Sequence, residues 1–337
     1  MDTKKFDDHF ALAQLPYFEI EDGRLKFDPA MGPVIDMHTH LALQFLAPPS
    51  IDMEQLTDEV ENYLPTRGLP IDMEIYGNLS FDKPSLERMN YDLIWGCLRK
   101  PGARLTHTAA NLLRAMKDLQ ISHCVMHAIE LPLISHNSEI YLEVSKRHPG
   151  LITFGSAHPY APGAAKRIDK LAKMGVKGIK VHPSTQGFYP QGKRMMKLYE
   201  RCAANNLPVL YHCGPAGIEP EKLRRFTQVK LYEQPIAEFP TVTFYLGHSG
   251  ATQTDEAIDL ALRYPNVVLD VSCQGAIGMR KIFERADHER IVFGTDWPFY
   301  HQAFGLAKTV IACEGDDQLR RKVMYENAAR LLGLDNN

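Results

Sequence analysis

Short apolar runs rich in β-branched residues recur eight times between residues 34 and 296, and each is followed by a stretch with helical periodicity. The runs are 34–40 (VIDMHTH), 121–129, 151–158, 176–182, 207–213, 241–248, 266–272 and 290–296. Between them stand amphipathic segments such as AAKRIDKLAKMG, GKRMMKLYERCAANN, TDEAIDLALRYP and MRKIFERAD. Apolar residues three and four apart are what a helix needs to bury one face. Gly175, Asn205-Asn206 before Pro208, and Tyr264-Pro265 mark helix ends. Alternation of strand and helix predicts a parallel sheet, and eight such units predict a closed (β/α)8 TIM barrel of the α/β class. An open doubly wound sheet is the competing architecture, but no glycine-rich phosphate loop follows the first run.

Two segments fall outside the repeat. Residues 1–33 precede the first strand as an N-terminal extension, with FEI and LKF flanking Glu21-Asp22-Gly23 in the manner of a hairpin. Residues 41–104 form a long insertion after strand one, rich in proline, methionine and charge. A connection of that length leaving the C-terminal end of a barrel strand reads as a lid, with a surface ornament or oligomer contact as the plainer reading. The single barrel domain is expected to span 34–334.

Composition narrows the partners. The chain has 337 residues, 45% of them apolar, and a net charge of −3. That balance gives no electrostatic reason to expect nucleic acid or an anionic membrane. No apolar run reaches the ~20 residues that span a bilayer, and the N-terminus lacks the apolar core of a secretory signal. Six cysteines (Cys97, Cys124, Cys202, Cys213, Cys273, Cys313) are scattered without a CxxC pair, as suits reduced thiols in a cytoplasm. A small-molecule substrate is the expected partner, and a homodimer is compatible with a barrel of this size.

The strand ends carry the chemistry. In VIDMHTH a regular strand would turn Asp36, His38 and His40 to one face and Ile35, Met37 and Thr39 to the other. Strand four ends in Lys180 and His182, strand five in His212, strand six in His248 and strand eight in Asp296. The C-terminal ends of barrel strands surround one mouth. Imidazoles and a carboxylate gathered there are ligands for Zn²⁺ or a similar divalent ion, Mn²⁺ and Fe²⁺ included. Asp36 is expected behind the ligands, orienting an imidazole. Plainer readings stand beside these. His38 and His40 form a hydrogen-bonded pair, Asp296 caps a helix, His212 belongs to the core, His248 to a tight turn, and Lys180 is solvated or ion-paired. His182 and His158, each before proline, cap their strands. His123, His127 and Cys213 are packing residues, and Trp297 and Phe299 wall the mouth or fill core.

DMHTH (36–40), GIKVHP (178–183), LYHCG (210–214), LGHSG (246–250), GTDWPF (294–299) and NAARLLGL (327–334) occur in one order along the chain. Together they resemble the amidohydrolase superfamily, in particular the branch holding the amidohydrolase-2 type hydrolases and aminocarboxymuconate-semialdehyde decarboxylase. The resemblance covers about residues 34–334. It implies that His38, His40, His212 and Asp296 hold a metal, and that Asp296 and His248 are catalytic. It leaves Lys180, His248 and His182 as candidates for a second metal or for substrate, with one ion favoured over two. In two-metal relatives a strand-four lysine becomes a bridging carbamate; with one ion, Lys180 stays a cation for a substrate carboxylate.

The function expected from this is metal-assisted hydrolysis of a small amide, ester or lactone bearing a carboxylate. A bound ion lowers the pKa of water towards about 7. Asp296 would take that water's proton, and His248 or Lys180 would stabilise the oxyanion. The alternative is non-oxidative decarboxylation of an aromatic or dienoic acid at the same metal site. Hydratase or lactonase chemistry and a non-catalytic metal-binding barrel are the remaining readings.

Overall fold

A computed structural model describes residues 5–45, 51–95, 102–132 and 134–334; Cys97 and part of the 41–104 insertion lie outside these. Eight parallel strands build the central sheet: β1 (Val34–Thr39), β2 (Ile121–His127), β3 (Leu151–Ser156), β4 (Gly178–Val181), β5 (Val209–His212), β6 (Phe244–Gly247), β7 (Val267–Asp270) and β8 (Ile291–Val292). Each strand pairs with the next in sequence. The ends meet beyond β8, where Met37 N–H donates to Phe293 O, Asp296 N–H to His38 O and His40 N–H to Trp297 O. A Thr39–Trp297 bridge completes the closure. The (β/α)8 barrel expected from the repeat is therefore the fold.

The helices between strands follow from their apolar spacing. In Ala164–Met174 the buried residues are Ala164, Ile168 and Leu171, one face of a helix laid on the sheet. Gly175 stops it at φ 102°, a left-handed conformation that suits glycine, and its N–H donates to the carbonyls of Leu171 and Ala172. Inside the barrel, Ile35, Met37, Val125, Phe154, Leu210, Tyr245, Val268 and Val292 form one apolar cluster, with Ala328 and Ala329 of the last helix packed on it. Each such large side chain contributes roughly 1.5–3 kcal/mol by leaving water, so this plug fixes the barrel's radius and seals the end opposite the mouth.

β1 departs from the regular pleat. Its register with β2 runs Asp36↔Cys124 and then Thr39↔Met126, three residues on β1 against two on β2. Such a bulge turns the side chains that follow it. Ile35 and Met37 point into the apolar plug, whereas Asp36 accepts hydrogen bonds from Thr295 and from Gln302 on the helix after β8. Asp36 thus does not share a face with His38 and His40, because the extra residue breaks the two-residue alternation. It hydrogen-bonds no imidazole among the described residues: its Oδ1 accepts from the His38 backbone N–H at 3.1 Å.

Outside the barrel, Phe18–Glu21 and Arg24–Phe27 form the expected hairpin around Asp22-Gly23 (φ 51° and 70°). Lys5–Asp8 pairs antiparallel with Arg67–Asp72 of the insertion. From that strand the insertion reaches the mouth: Gly77 N–H donates to Cys273 O, and Ala276 N–H to Met73 O. Leu64 N–H reaches Phe299 O on the other side.

Candidate metal centre

Five imidazoles (His38, His40, His182, His212, His248), an ammonium and two carboxylates converge at the C-terminal end of the barrel. His38 and His40 turn their Nε2 atoms to the same Asp296 oxygen, Oδ1, at 3.7 and 3.4 Å. His38, His40 and Asp296 offer ligand atoms that all lie within 4.8 Å of one another. A second group with that property is His248, Cys273 and Asp296, with the thiol donating to Asp296 Oδ2 at 3.4 Å. His212 belongs to neither cluster. Its Nδ1 is 3.1 Å from His248 Nε2, and its ring stacks on His182 with centroids 4.0 Å apart. His182 also caps the short helix after β4, accepting from Thr185 N–H.

The opposite edges of the imidazoles are fixed. His38 Nδ1 meets Asp270 Oδ2 at 2.5 Å, both fully buried. His40 Nδ1 donates to the His127 carbonyl at 2.7 Å, and His127 Nε2 donates to Met37 O at 2.7 Å. With Nδ1–H engaged, Nε2 of each strand-one histidine is left as a lone pair, the form that ligates metal. Burial, then the charge of Lys180, pushes His38 well below its ordinary value, and burial lowers His40 and His212 too, so the rings are neutral. Burial pushes Asp296 up, but the neighbouring His40, His248 and Lys180 outweigh that and hold its carboxyl below the ordinary value.

Lys180 is 1% exposed, and its Nζ lies 2.8 Å from His38 Nε2. Burial lowers it to about 8. The same absence of water raises Asp270 to about 7 and takes His248 to about 4. His248, Cys273 and Asp296 all have left-handed backbones, with φ of 59°, 63° and 62°. For non-glycine residues that conformation costs about 1–3 kcal/mol each and persists only where surrounding contacts enforce it.

Sequence reasoning missed Asp270, Ser272 and Cys273. Asp270 is the last residue of β7, so the strand-end rule applied to β7 would have selected it. His127, read as packing, carries the carbonyl that holds His40. Trp297 is core, packed edge-on to His107, whereas Phe299 meets His40 and Tyr63 beside the mouth.

The model of the family described as Amidohydrolase (Amidohydro_2) matches residues 35–334. The chain belongs to the amidohydrolase family. No curated protein's sequence matches this amidohydrolase. Among solved structures it is similar to 5-carboxyvanillate decarboxylase from Sphingomonas paucimobilis, at TM-score 0.62 and 15% identity over 89% of this chain and 99% of that one. The 5-carboxyvanillate decarboxylase of Novosphingobium aromaticivorans, solved with manganese and 4-hydroxy-3-methoxy-5-nitrobenzoic acid, gives 0.60 and 16% over 91% and 98%. The 2,6-dihydroxybenzoate decarboxylase from Rhizobium gives 0.57 and 16% over 89% and 99%. At these identities the likeness establishes the barrel. The amidohydrolase is an enzyme, and no helix among its described residues is long and apolar enough to cross a membrane.

Proposed function

We propose that this amidohydrolase is a metal-dependent decarboxylase acting on an aromatic or dienoic carboxylic acid. The observation that carries the reading is Lys180, a buried ammonium hydrogen-bonded to an imidazole lone pair. His38 Nε2 would give that lone pair to a metal it held, and the Lys180 ammonium would then need an anion as its partner. A charge buried in so dry a place needs a partner, and a substrate carboxylate supplies one. The decarboxylase names of the structural neighbours support this chemistry over the hydrolysis expected from sequence.

The donor set fits a divalent ion: neutral imidazoles with Nε2 free, and a carboxylate held ionised. His38, His40 and Asp296 would hold it, with His212 as the further ligand the family resemblance names. Zinc and manganese both accept such ligands. When bound, the ion supplies positive charge for the substrate's oxygens next to the carbon that loses its carboxyl group.

The residues do the remainder. Lys180 pairs with the carboxylate in the substrate complex. As carbon dioxide departs, the electron pair of the broken carbon–carbon bond stays on the substrate carbon, and a proton takes the place of the carboxyl group. Asp296 or His248 would take that proton from solvent and deliver it to the carbon. The 41–104 insertion, anchored at Cys273 and Phe299, acts as a lid that keeps water from the site.

The test is incubation of metal-loaded protein with dihydroxybenzoates, following released carbon dioxide, with Asp296→Asn as the control. Carbon dioxide from the wild type but not the variant is expected. Absence of release, together with turnover of lactones or amides, would overturn decarboxylation in favour of hydrolysis.

A further inference from the structure

Behind the proposed metal ligands runs a chain of hydrogen bonds that joins three imidazoles to one carboxylate. Asp270 Oδ2 is 2.5 Å from His38 Nδ1 and accepts the Ser272 hydroxyl at 3.0 Å, while Oδ1 accepts the Ser272 N–H at 2.8 Å. Ser272 Oγ is in turn 2.9 Å from His248 Nδ1, and His248 Nε2 is 3.1 Å from His212 Nδ1. All five residues are buried, at 9% exposure or less. Solvent therefore cannot repair a misplaced proton.

The direction of this chain is set at one end. Lys180 Nζ, an ammonium with no lone pair, faces His38 Nε2 at 2.8 Å, so His38 presents Nδ1–H to Asp270 Oδ2, and Ser272 spends its hydroxyl proton on that same oxygen. Ser272 Oγ then has only lone pairs left for His248, which must present Nδ1–H. His248 Nε2 is consequently bare and accepts from His212 Nδ1–H. Nε2 of both His38 and His212 is left unprotonated.

We propose that Ser272 is a positioning residue whose hydroxyl relays the Asp270 carboxylate to His248 and His212, so that one acceptor sets the tautomers of three histidines at once. The link to metal binding rests on the proposed ligand role of His212; the tautomer assignment itself does not. The structure gives the reason a hydroxyl is needed at 272. Without it, His248 Nδ1–H loses its 2.9 Å side-chain acceptor and keeps only the weaker Ser272 backbone carbonyl, and the ring moves its proton to Nε2 to donate to His212. His212 must then carry its own proton on Nε2, the atom a metal would need.

The experiment is histidine-selective ¹⁵N labelling of the full chain without metal, reading Nδ1–H against Nε2–H from long-range nitrogen–proton couplings. Wild type should show Nδ1–H at His38, His248 and His212. Ser272→Ala should leave His38 unchanged and move His248 and His212 to Nε2–H, and zinc affinity should fall about tenfold or more, as for loss of other groups behind metal ligands. Ser272→Thr, which keeps the hydroxyl, should restore both. An Nε2–H proton on His248 in the wild type overturns the proposal, and that measurement needs no variant to fold. So does Ser272→Ala with the wild-type tautomers. Shifted tautomers with unchanged zinc affinity uphold the relay and remove His212 from the ligand set.

Discussion

Replacing Asp270 by asparagine keeps the side chain's shape and deletes its charge. The carboxylate accepts three hydrogen bonds: His38 Nδ1 and Ser272 Oγ on one oxygen, Ser272 N on the other. An amide has one oxygen. If its NH₂ takes the Oδ2 position, it confronts the His38 proton and drives it to Nε2; if it takes the Oδ1 position, it confronts the Ser272 N–H. Either orientation loses an acceptor inside a fully buried cluster. A hydrogen bond to a charged group is worth about 1.5–3 kcal/mol. At 1.4 kcal/mol per decade, that predicts a fall in metal affinity of about 10- to 100-fold. The assay is competition for zinc or manganese against a chromogenic chelator, with thermal unfolding recorded in parallel to verify the fold. A folded Asp270→Asn that holds metal as tightly as wild type would refute the argument that this carboxylate prepares His38.

Three further outcomes follow from described geometry. Lys180→Met should retain bound metal but bind benzoate-type carboxylic acids about 100-fold more weakly, for loss of a charge-assisted contact; calorimetry showing equal affinity would remove the lysine from substrate binding. A Cβ on Gly294 would lie 2.6 Å from Asp270 Oδ1 and 2.8 Å from His38 Cβ, so Gly294→Ala should destabilise by about 1–3 kcal/mol and weaken metal binding, and a wild-type melting temperature would contradict this. His107, held near 4 chiefly by burial, stays neutral in the fold while the unfolded chain takes up a proton below 6.5. Stability is therefore intact above pH 6.5 and declines towards pH 4 by at most roughly 3 kcal/mol from this group. His107→Gln should flatten that slope in denaturant titrations at several pH values; a parallel curve would show that another group causes it.

Much of the barrel was legible because periodicity is a local property. Runs such as TVTFYLGH, and helices such as AAKRIDKLAKMG, each reveal their buried face within a dozen residues, and the turn Asp22-Gly23 announces its hairpin. His38, His40 and Asp296 were legible for the same reason, each at the end of a readable strand. What escaped depends on contacts between distant segments. The bulge in β1 is defined by β2, 86 residues away at the Thr39–Val125 hydrogen bond, so alternation alone misassigned the face of Asp36. Asp270 looked like any residue leaving a strand until the fold set His38 against it, a separation of 232 residues. His212 sits at the predicted strand end, yet its ring turns to His248 and His182, a rotation no spacing rule encodes.

The pairing of Lys5–Asp8 with Arg67–Asp72 ties the segment ahead of the barrel to the insertion that reaches the mouth. Residues 73 and 77, just beyond that ribbon, are bolted to the turn carrying Cys273, next to Ser272. Strain in that ribbon is thereby passed to the loop at Ser272 and Cys273. A substitution that breaks this pairing is therefore felt at the mouth, far from where it is made.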